Sequence, residues 1–436
     1  MSTRPALLPV LVLFAINILN FYDRSLAGAL VEPMRKEFTL SDTNVGLMGS
    51  AFIWIYAIVG VPLGLVADTW SRKKLLMIGV IVWTSMTALG ALASGFVFLL
   101  VTRLGVGVGE AVCAPSATSW LGDLYPPTKR SKVLALFMLG VPVGSAMSFF
   151  FSGPIAQTWG WRTAMIVAAA PALLIVPLLT ILHEPVRGAS EPVPGEAKGT
   201  VWSLLRKPTL WWIIASGVFL NFNMYAILLF LPALMSRVHH LSVAEAGTSA
   251  GISNLIGGVC GGLLSGYIGD RIIGRNKNGR MTLAAMLTMV GAPLAYFGII
   301  QPEGGAWLAL GLLAGAYGLM NTYYGLVYSS IQDIVAPTQR GLTMAIYFMA
   351  MYLCGASFGP LLTGMLSDRM AKQAMEAAGA TQMTEVFRAA GLQQAMLVIP
   401  VLLVALSLVL FAGSRTIVGD IERRESAARG LRVAEV

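Results

Sequence analysis

Two charged residues, Asp23 and Arg24, stand side by side in an apolar stretch that runs from about residue 7 to 31. Two more, Arg103 and Glu110, stand in another, from about 96 to 121. A charge at the centre of a bilayer costs roughly 2.5–3.5 kcal/mol on insertion scales, so residues like these mark a polar interior and a task that needs them. Asn17, Asn20 and Arg24 are spaced i, i+3, i+7 and share one helix face, with Asp23 turned about 100° from Arg24. Arg103 and Glu110 are seven residues apart and share a face as well. Counting depth at about 1.5 Å per residue brings Asp23 level with Arg103 and predicts an ion pair between them. Glu110 lies deeper, beside Gly105, Gly107 and Gly109, a spacing that predicts a close approach of the first helix. A carboxyl group held away from water can take up and release a proton as a cavity switches sides. Asp23 and Glu110 are therefore expected to be proton-coupling acids, with Arg24 and Arg103 as their charge partners or as ligands of an anionic head group.

The second half of the chain has almost no charge inside its apolar runs and offers a different chemistry. Tyr317, Asn321, Tyr324 and Tyr328 follow i, i+4, i+7, i+11 and form a polar-aromatic helix face; Asn221 and Tyr225 add a second, shorter one. Rings pack an alkyl chain, and hydroxyls and amides bind a head group. With Asn17 and Asn20 these residues are expected to line a cavity charged on one side and aromatic on the other, suited to an amphipathic anion or zwitterion.

The elements that must position these residues follow from composition. Hydrophobic residues make up 56% of the 436 and charged ones only 12%, against about 25% charged in a soluble protein. Twelve apolar runs, at roughly 7–31, 45–68, 75–94, 96–121, 131–152, 162–182, 208–235, 246–269, 281–300, 305–332, 341–366 and 391–413, are each long enough to span hydrocarbon as a helix. Period-2 alternation is missing, which argues against a transmembrane β-barrel. The net charge of +9 reflects orientation: with the N-terminus inside, cytoplasmic segments carry 21 of the Lys and Arg residues and the opposite side seven. Both termini are thus expected in the cytoplasm, in the inner (plasma) membrane of a bacterium. The first run has no small-residue cleavage site and reads as a span, not a signal peptide. Cys113, Cys260 and Cys354 lie far apart within spans and form no metal or disulfide set. The strings GTSAG (247–251) and GASFG (355–359) fall in membrane helices, where small residues serve packing. No enzyme activity, metal or cofactor is expected beyond the proton as coupling ion. The partners expected are an amphipathic small molecule and the bilayer, with no nucleic acid, for a monomer.

The chain repeats itself. A Pro-, Gly- and charge-rich segment (184–207) separates a six-span bundle (1–183) from a second (208–414), with a tail at 415–436. Gly64-Leu-Val-Ala-Asp68 ends the second span and Gly266-Tyr-Ile-Gly-Asp270 the eighth. Asp123-Leu-Tyr-Pro-Pro-Thr-Lys-Arg130 matches Asp333-Ile-Val-Ala-Pro-Thr-Gln-Arg340 at a constant offset of 210. Parallel repeats of six helices predict an all-α polytopic membrane protein of 12 transmembrane helices in two pseudo-symmetric bundles, with a site between them near the midplane. Asp68 and Asp270, at helix C-termini, need basic partners; Arg130 and Arg340 are expected to supply them in gating networks.

GLVADTWSRKK (64–74) resembles the loop signature of the major facilitator superfamily, keeping Gly64, Asp68, Arg72 and Lys73 and departing at Thr69 and Ser71. Arg103-Leu-Gly-Val-Gly-Val-Gly109 and Gly140-Val-Pro-Val-Gly144 resemble the superfamily's fourth- and fifth-helix motifs. Within it, Asn20-Phe-Tyr-Asp-Arg24, Gly107-Val-Gly-Glu-Ala111, Val141-Pro-Val-Gly-Ser145 and HEPVRG (183–188) resemble the Spinster family of lysolipid and sphingolipid transporters. The resemblance implies alternating-access transport of a lysophospholipid or sphingosine-phosphate-like lipid, coupled to protons; the alternative is a proton-coupled symporter of a small organic anion.

Overall fold

In hydrocarbon a backbone must satisfy its own hydrogen bonds, and the apolar runs do so as helices. The computed structural model describes residues 7–125, 133–134, 136–186, 201–273, 276–335 and 339–434, and among these there is no strand. In the first half the helices are α1 (Leu7–Ala29), α2 (Val31–Phe38), α3 (Asp42–Thr69), α4 (Arg72–Gly90), α5 (Phe96–Glu110), α6 (Cys113–Leu124), α7 (Gly140–Trp159) and α8 (Trp161–Ile181). After the short α9 (Val201–Leu205) come α10 (Pro208–Val238), α11 (Val243–Ile273), α12 (Gly279–Ile299) and α13 (Ala306–Ile334). The chain ends with α14 (Arg340–Met351), α15 (Phe358–Ala377), α16 (Glu385–Met396) and α17 (Val398–Ala434).

With the short α2 and α9 set aside, these helices build twelve rods among the described residues, because α5 continues into α6, α14 into α15 and α16 into α17. Ten of the rods are long and apolar enough to cross a membrane. The other two, α11 and α13, are 31 and 29 residues long, and in α11 the side chains from residue 266 on lie outside the described residues. The interruptions follow proline. Pro115 has no N–H for the Ala111 carbonyl, and the fourth span breaks between Glu110 and Cys113. Pro360 has none for the Ala356 carbonyl, and a π-helical turn, Tyr352–Ala356, separates α14 from α15.

Close packing depends on a few glycines. Gly144 of α7 rests on the Ile18 carbonyl of α1, where a side chain would collide. The glycines before Glu110 do not face α1 as their spacing suggested. Gly107 packs on Phe52 and Ile55 of α3, and Gly109 on Gly79 and Trp83 of α4. The reason is rotation: Glu110 and Arg103 turn inward to α1, which leaves the glycines on the sides of α5 that meet its bundle neighbours. Helix α1 begins and α17 finishes at one end of the molecule, the terminal end, opposite the distal end.

Candidate functional site

The four intramembrane charges meet as two ion pairs. Helix α1 presents Asp23 and Arg24 on adjacent faces, and α5 presents Arg103 and, seven residues on, Glu110. Arg24 donates from Nη2 and Nε to Glu110 Oε2 at 3.2 and 3.3 Å. Arg103 Nη1 lies 3.6 Å from Asp23 Oδ1, and Thr87 of α4 donates to Asp23 Oδ2. The side chains of all four are at most 6% exposed. Glu110 is the last residue of α5, where the helix dipole disfavours a carboxylate, so Arg24 must offset both burial and dipole.

The site is polarised and under-satisfied. The Arg24 guanidinium stacks 4.6 Å from the centre of the Phe21 ring, 5.3 Å from that of Phe52 and 4.5 Å from that of Tyr56. Glu110 Oε1, Asp23 Oδ1, Arg103 Nε and Arg103 Nη2 are buried without a hydrogen-bond partner. Arg24, Arg103, Ser25, Phe52 and Tyr225 line a cavity of about 40 Å³, room for a water molecule in this conformation and too small for a lipid chain.

The uncharged face belongs to the second half. Asn221 of α10 donates to the Gly217 carbonyl at 2.9 Å and accepts from the Tyr324 hydroxyl at 3.3 Å. Tyr324 meets Tyr328 edge-on, and Tyr328 meets Tyr347 and Phe348. Tyr225 faces the first half and meets Tyr352 edge-on at 6.3 Å. Tyr317 and Asn321 turn instead to α11, packing on Gly257 and Gly261, and Asn321 donates to the Tyr317 carbonyl. Asn17 is taken up within the first half, donating to the Phe137 carbonyl at 2.7 Å. Asn20 is buried in the same bundle with its Nδ2 unbonded.

At the terminal end Arg72 is fully buried, donating to Asp123 at 2.5 Å, to Glu184 at 3.0 Å and to the Pro185 carbonyl at 2.9 Å. Lys73 Nζ reaches the Thr180 and Leu182 carbonyls and closes the C-terminus of α8. Glu184 also accepts from the Arg72 and Lys73 amides and from the Ser71 hydroxyl. Burial pushes its carboxyl up, but these four donor groups prevail and hold it at about 2. The repeat returns in the second half, where Arg280 donates to Asp333 at 2.7 Å. Gly64 has open space around it, and Arg340 is exposed at the start of α14. Arg130 and the side chains of Asp68 and Asp270 lie outside the described residues.

The distal end holds charges of which the sequence reading counted only the basic ones, Arg35 and Arg237 among them, toward topology, and it did not single out their acidic partners. Arg237 of α10 donates to Asp42 Oδ1 and Oδ2, both at 2.8 Å, and to Glu32 at 2.7 Å. Arg35 joins Glu32 to Glu385. Asp368 of α15 accepts from the Asp42 and Thr43 amides at 3.0 and 2.8 Å, so one half of the molecule caps a helix of the other. Gly46 and Gly364 let the backbones of α3 and α15 touch. Tyr56 and Tyr352 were also missed, since neither belongs to a polar stripe; an isolated tyrosine among apolar residues was the available signal.

Three relatives share the length of this fold. An MFS-type efflux pump of Mycolicibacterium smegmatis is 32% identical, over 82% of this chain and 84% of its own. Protein spinster homolog 1 of Xenopus tropicalis is 26% identical, over 85% and 74%. A hexuronate transporter of Bacillus subtilis is 26% identical, over 85% and 90%. Among solved structures, a bacterial homolog of the human lysosomal transporter Spinster, inward-facing and unoccupied, superposes with a TM-score of 0.87 at 27% identity, over 96% of this chain and 99% of that one. The family model of the Major Facilitator Superfamily matches residues 13–360, and with twelve rods and a buried ionic site between two repeats the chain belongs to that superfamily of membrane transporters.

Proposed function

We propose that this transporter carries a single-chain phosphorylated lipid, of the lysophospholipid or sphingoid-phosphate class, in steps coupled to proton uptake and release. The observation that carries the reading is the pair of crossed ion pairs, Arg24–Glu110 and Asp23–Arg103, buried against an uncharged aromatic half. Protonating Asp23 or Glu110 neutralises one member of a pair and frees its arginine. The freed guanidinium can then hold a phosphate, and the aromatic half can pack the chain. Deprotonation on the other side restores the pair and expels the head group. The distal seal supports an inward-facing state if the termini are cytoplasmic, as the charge distribution along the loops implies. Gly64, Asp68, Arg72, Lys73, Arg130, Asp270 and Arg340 would then guard the cytoplasmic side of a monomer in a bacterial inner membrane. A second reading, symport of a small organic anion, is favoured by the likeness to a hexuronate transporter and uses the same arginines.

Uptake into proteoliposomes separates these readings. Labelled lysophospholipid is expected to accumulate faster under an inward proton gradient, and Asp23→Asn to lose the stimulation. Uptake of glucuronate without uptake of lysophospholipid would transfer the assignment to the anion reading. Lipid uptake indifferent to both gradient and substitution would leave a carrier whose Asp23–Arg103 pair is structural.

A further inference from the structure

The π-helical turn Tyr352–Ala356 sits midway along the eleventh span. Such turns insert one extra residue into a helix and recur at functional sites. This one is firmly held. The Ser357 amide donates to the Tyr352 carbonyl at 3.0 Å, the Ser357 hydroxyl to the Leu353 carbonyl at 2.6 Å, and Gly355 lies against the Val218 backbone.

The turn fixes where Tyr352 stands. Its ring meets Tyr56 of the first half edge-on at 5.8 Å and Tyr225 of the second at 6.3 Å. Both neighbours surround Arg24: Tyr56 stacks on the guanidinium at 4.5 Å, and Tyr225 lines the cavity with it. Tyr352 is only partly buried, and its hydroxyl makes no hydrogen bond among the described residues. Glu110 already occupies Arg24 Nε and Nη2. An oxyanion arriving beside Arg24 brings more lone pairs than one guanidinium can fill, and a neutral phenol can donate to the remainder without adding charge.

We propose that Tyr352, placed by the π-helical turn, is a specificity-determining residue that donates its phenol hydrogen to an anionic oxygen of the substrate held at Arg24, so that phosphorylated amphiphiles are preferred to neutral ones. The inference rests on the head-group role given to Arg24 above. It brings a residue of the eleventh span, from the uncharged half, into contact with the charged end of the substrate.

The test is equilibrium binding to the purified full chain of three probes: an 18-carbon lysophosphatidate, the monoacylglycerol of the same chain, and inorganic phosphate read by thermal shift. Tyr352→Phe removes one oxygen and keeps the ring; Tyr296→Phe, in α12 and exposed, serves as control. Tyr352→Phe is expected to weaken lysophosphatidate roughly tenfold or more, the loss of one hydrogen bond to a charged group. Monoacylglycerol affinity and the melting temperature of the free protein should stay unchanged. Equal affinity of wild type and Tyr352→Phe for lysophosphatidate overturns the proposal, and so does an equal loss on both lipids, which would mark a packing role. A wild type that ignores both lipids, yet is stabilised by phosphate only while Tyr352 is present, overturns the lipid reading and the preference among amphiphiles and keeps Tyr352 as the donor to an anionic oxygen at Arg24. A wild type that responds to none of the three overturns both.

Discussion

At the scale of single residues, the site is a balance of four buried charges whose removal one at a time is costly. Glu110→Gln leaves Arg24 buried without a counter-ion and should cost about 3–5 kcal/mol in stability, as breaking a buried pair does. Replacing both, as in Arg24→Met with Glu110→Leu, should restore most of that, because apolar groups of similar volume carry no desolvation penalty. A double-mutant cycle on thermal unfolding measures the coupling; additive single effects would mean that the pair contributes nothing beyond its members. The Asp23–Arg103 pair was legible in the sequence because depth can be counted along a helix. The Arg24–Glu110 pair was not, since two charges at different nominal depths meet only when side-chain length and helix tilt are known. The same limit hid Tyr56 and Tyr352. Their rings reach the site from the second and the eleventh spans, and no spacing within one helix records that.

At the scale of elements, helix ends carry much of the order. Glu184 sits just beyond the sixth span, yet it holds the first amides of α4 together with Ser71 and Arg72. Its folded pKa, about 2, is below the ordinary 4.5 of a glutamate, so its contribution is present above about 4.5 and lost as pH falls toward about 2. Glu184→Gln should therefore lower the melting temperature by several degrees at pH 7 and by progressively less as the pH is taken from 5 to 3. A gap that stays constant over that range would show that the carboxylate's charge is not what stabilises the helix start. The repeated loops were readable as a motif, Asp123 matching Asp333, and the structure gives each an arginine, Arg72 and Arg280. Where helices break was readable only in part. Pro115 and Pro360 announce a missing hydrogen bond, but whether the helix answers with a two-residue gap or a π-helical turn depends on what packs beside it.

At the scale of the whole molecule, the distal end is closed by contacts that join the two halves: Arg237 to Glu32 and Asp42, Arg35 to Glu385, and Asp368 to the start of α3. A transporter that alternates must break them together. Arg237→Met leaves Asp42 buried without its cation and Glu32 with Arg35 alone, and should shift the population toward a distally open form. A cysteine placed at Gly49, beside Pro360 and Leu229 in the closed form, should then react with a membrane-impermeant thiol reagent several-fold faster than in the Arg237 background. Unchanged labelling would show that the ion pairs do not hold this end shut. The architecture of two six-span bundles was the most legible property of the sequence, since apolar length and a fixed repeat offset survive any detail of packing. The closure was the least legible, because its partners lie hundreds of residues apart. That separation matters during synthesis as well as transport. Helix α3 begins with Ser41 satisfying the Asn44 amide, while the amides of Asp42 and Thr43 wait for Asp368, a residue made 325 positions after Thr43. A nascent first bundle thus inserts with an unfinished helix end facing water, and only the arrival of the eleventh span completes it. The newborn carrier has no shut distal door until nearly its whole chain has left the ribosome.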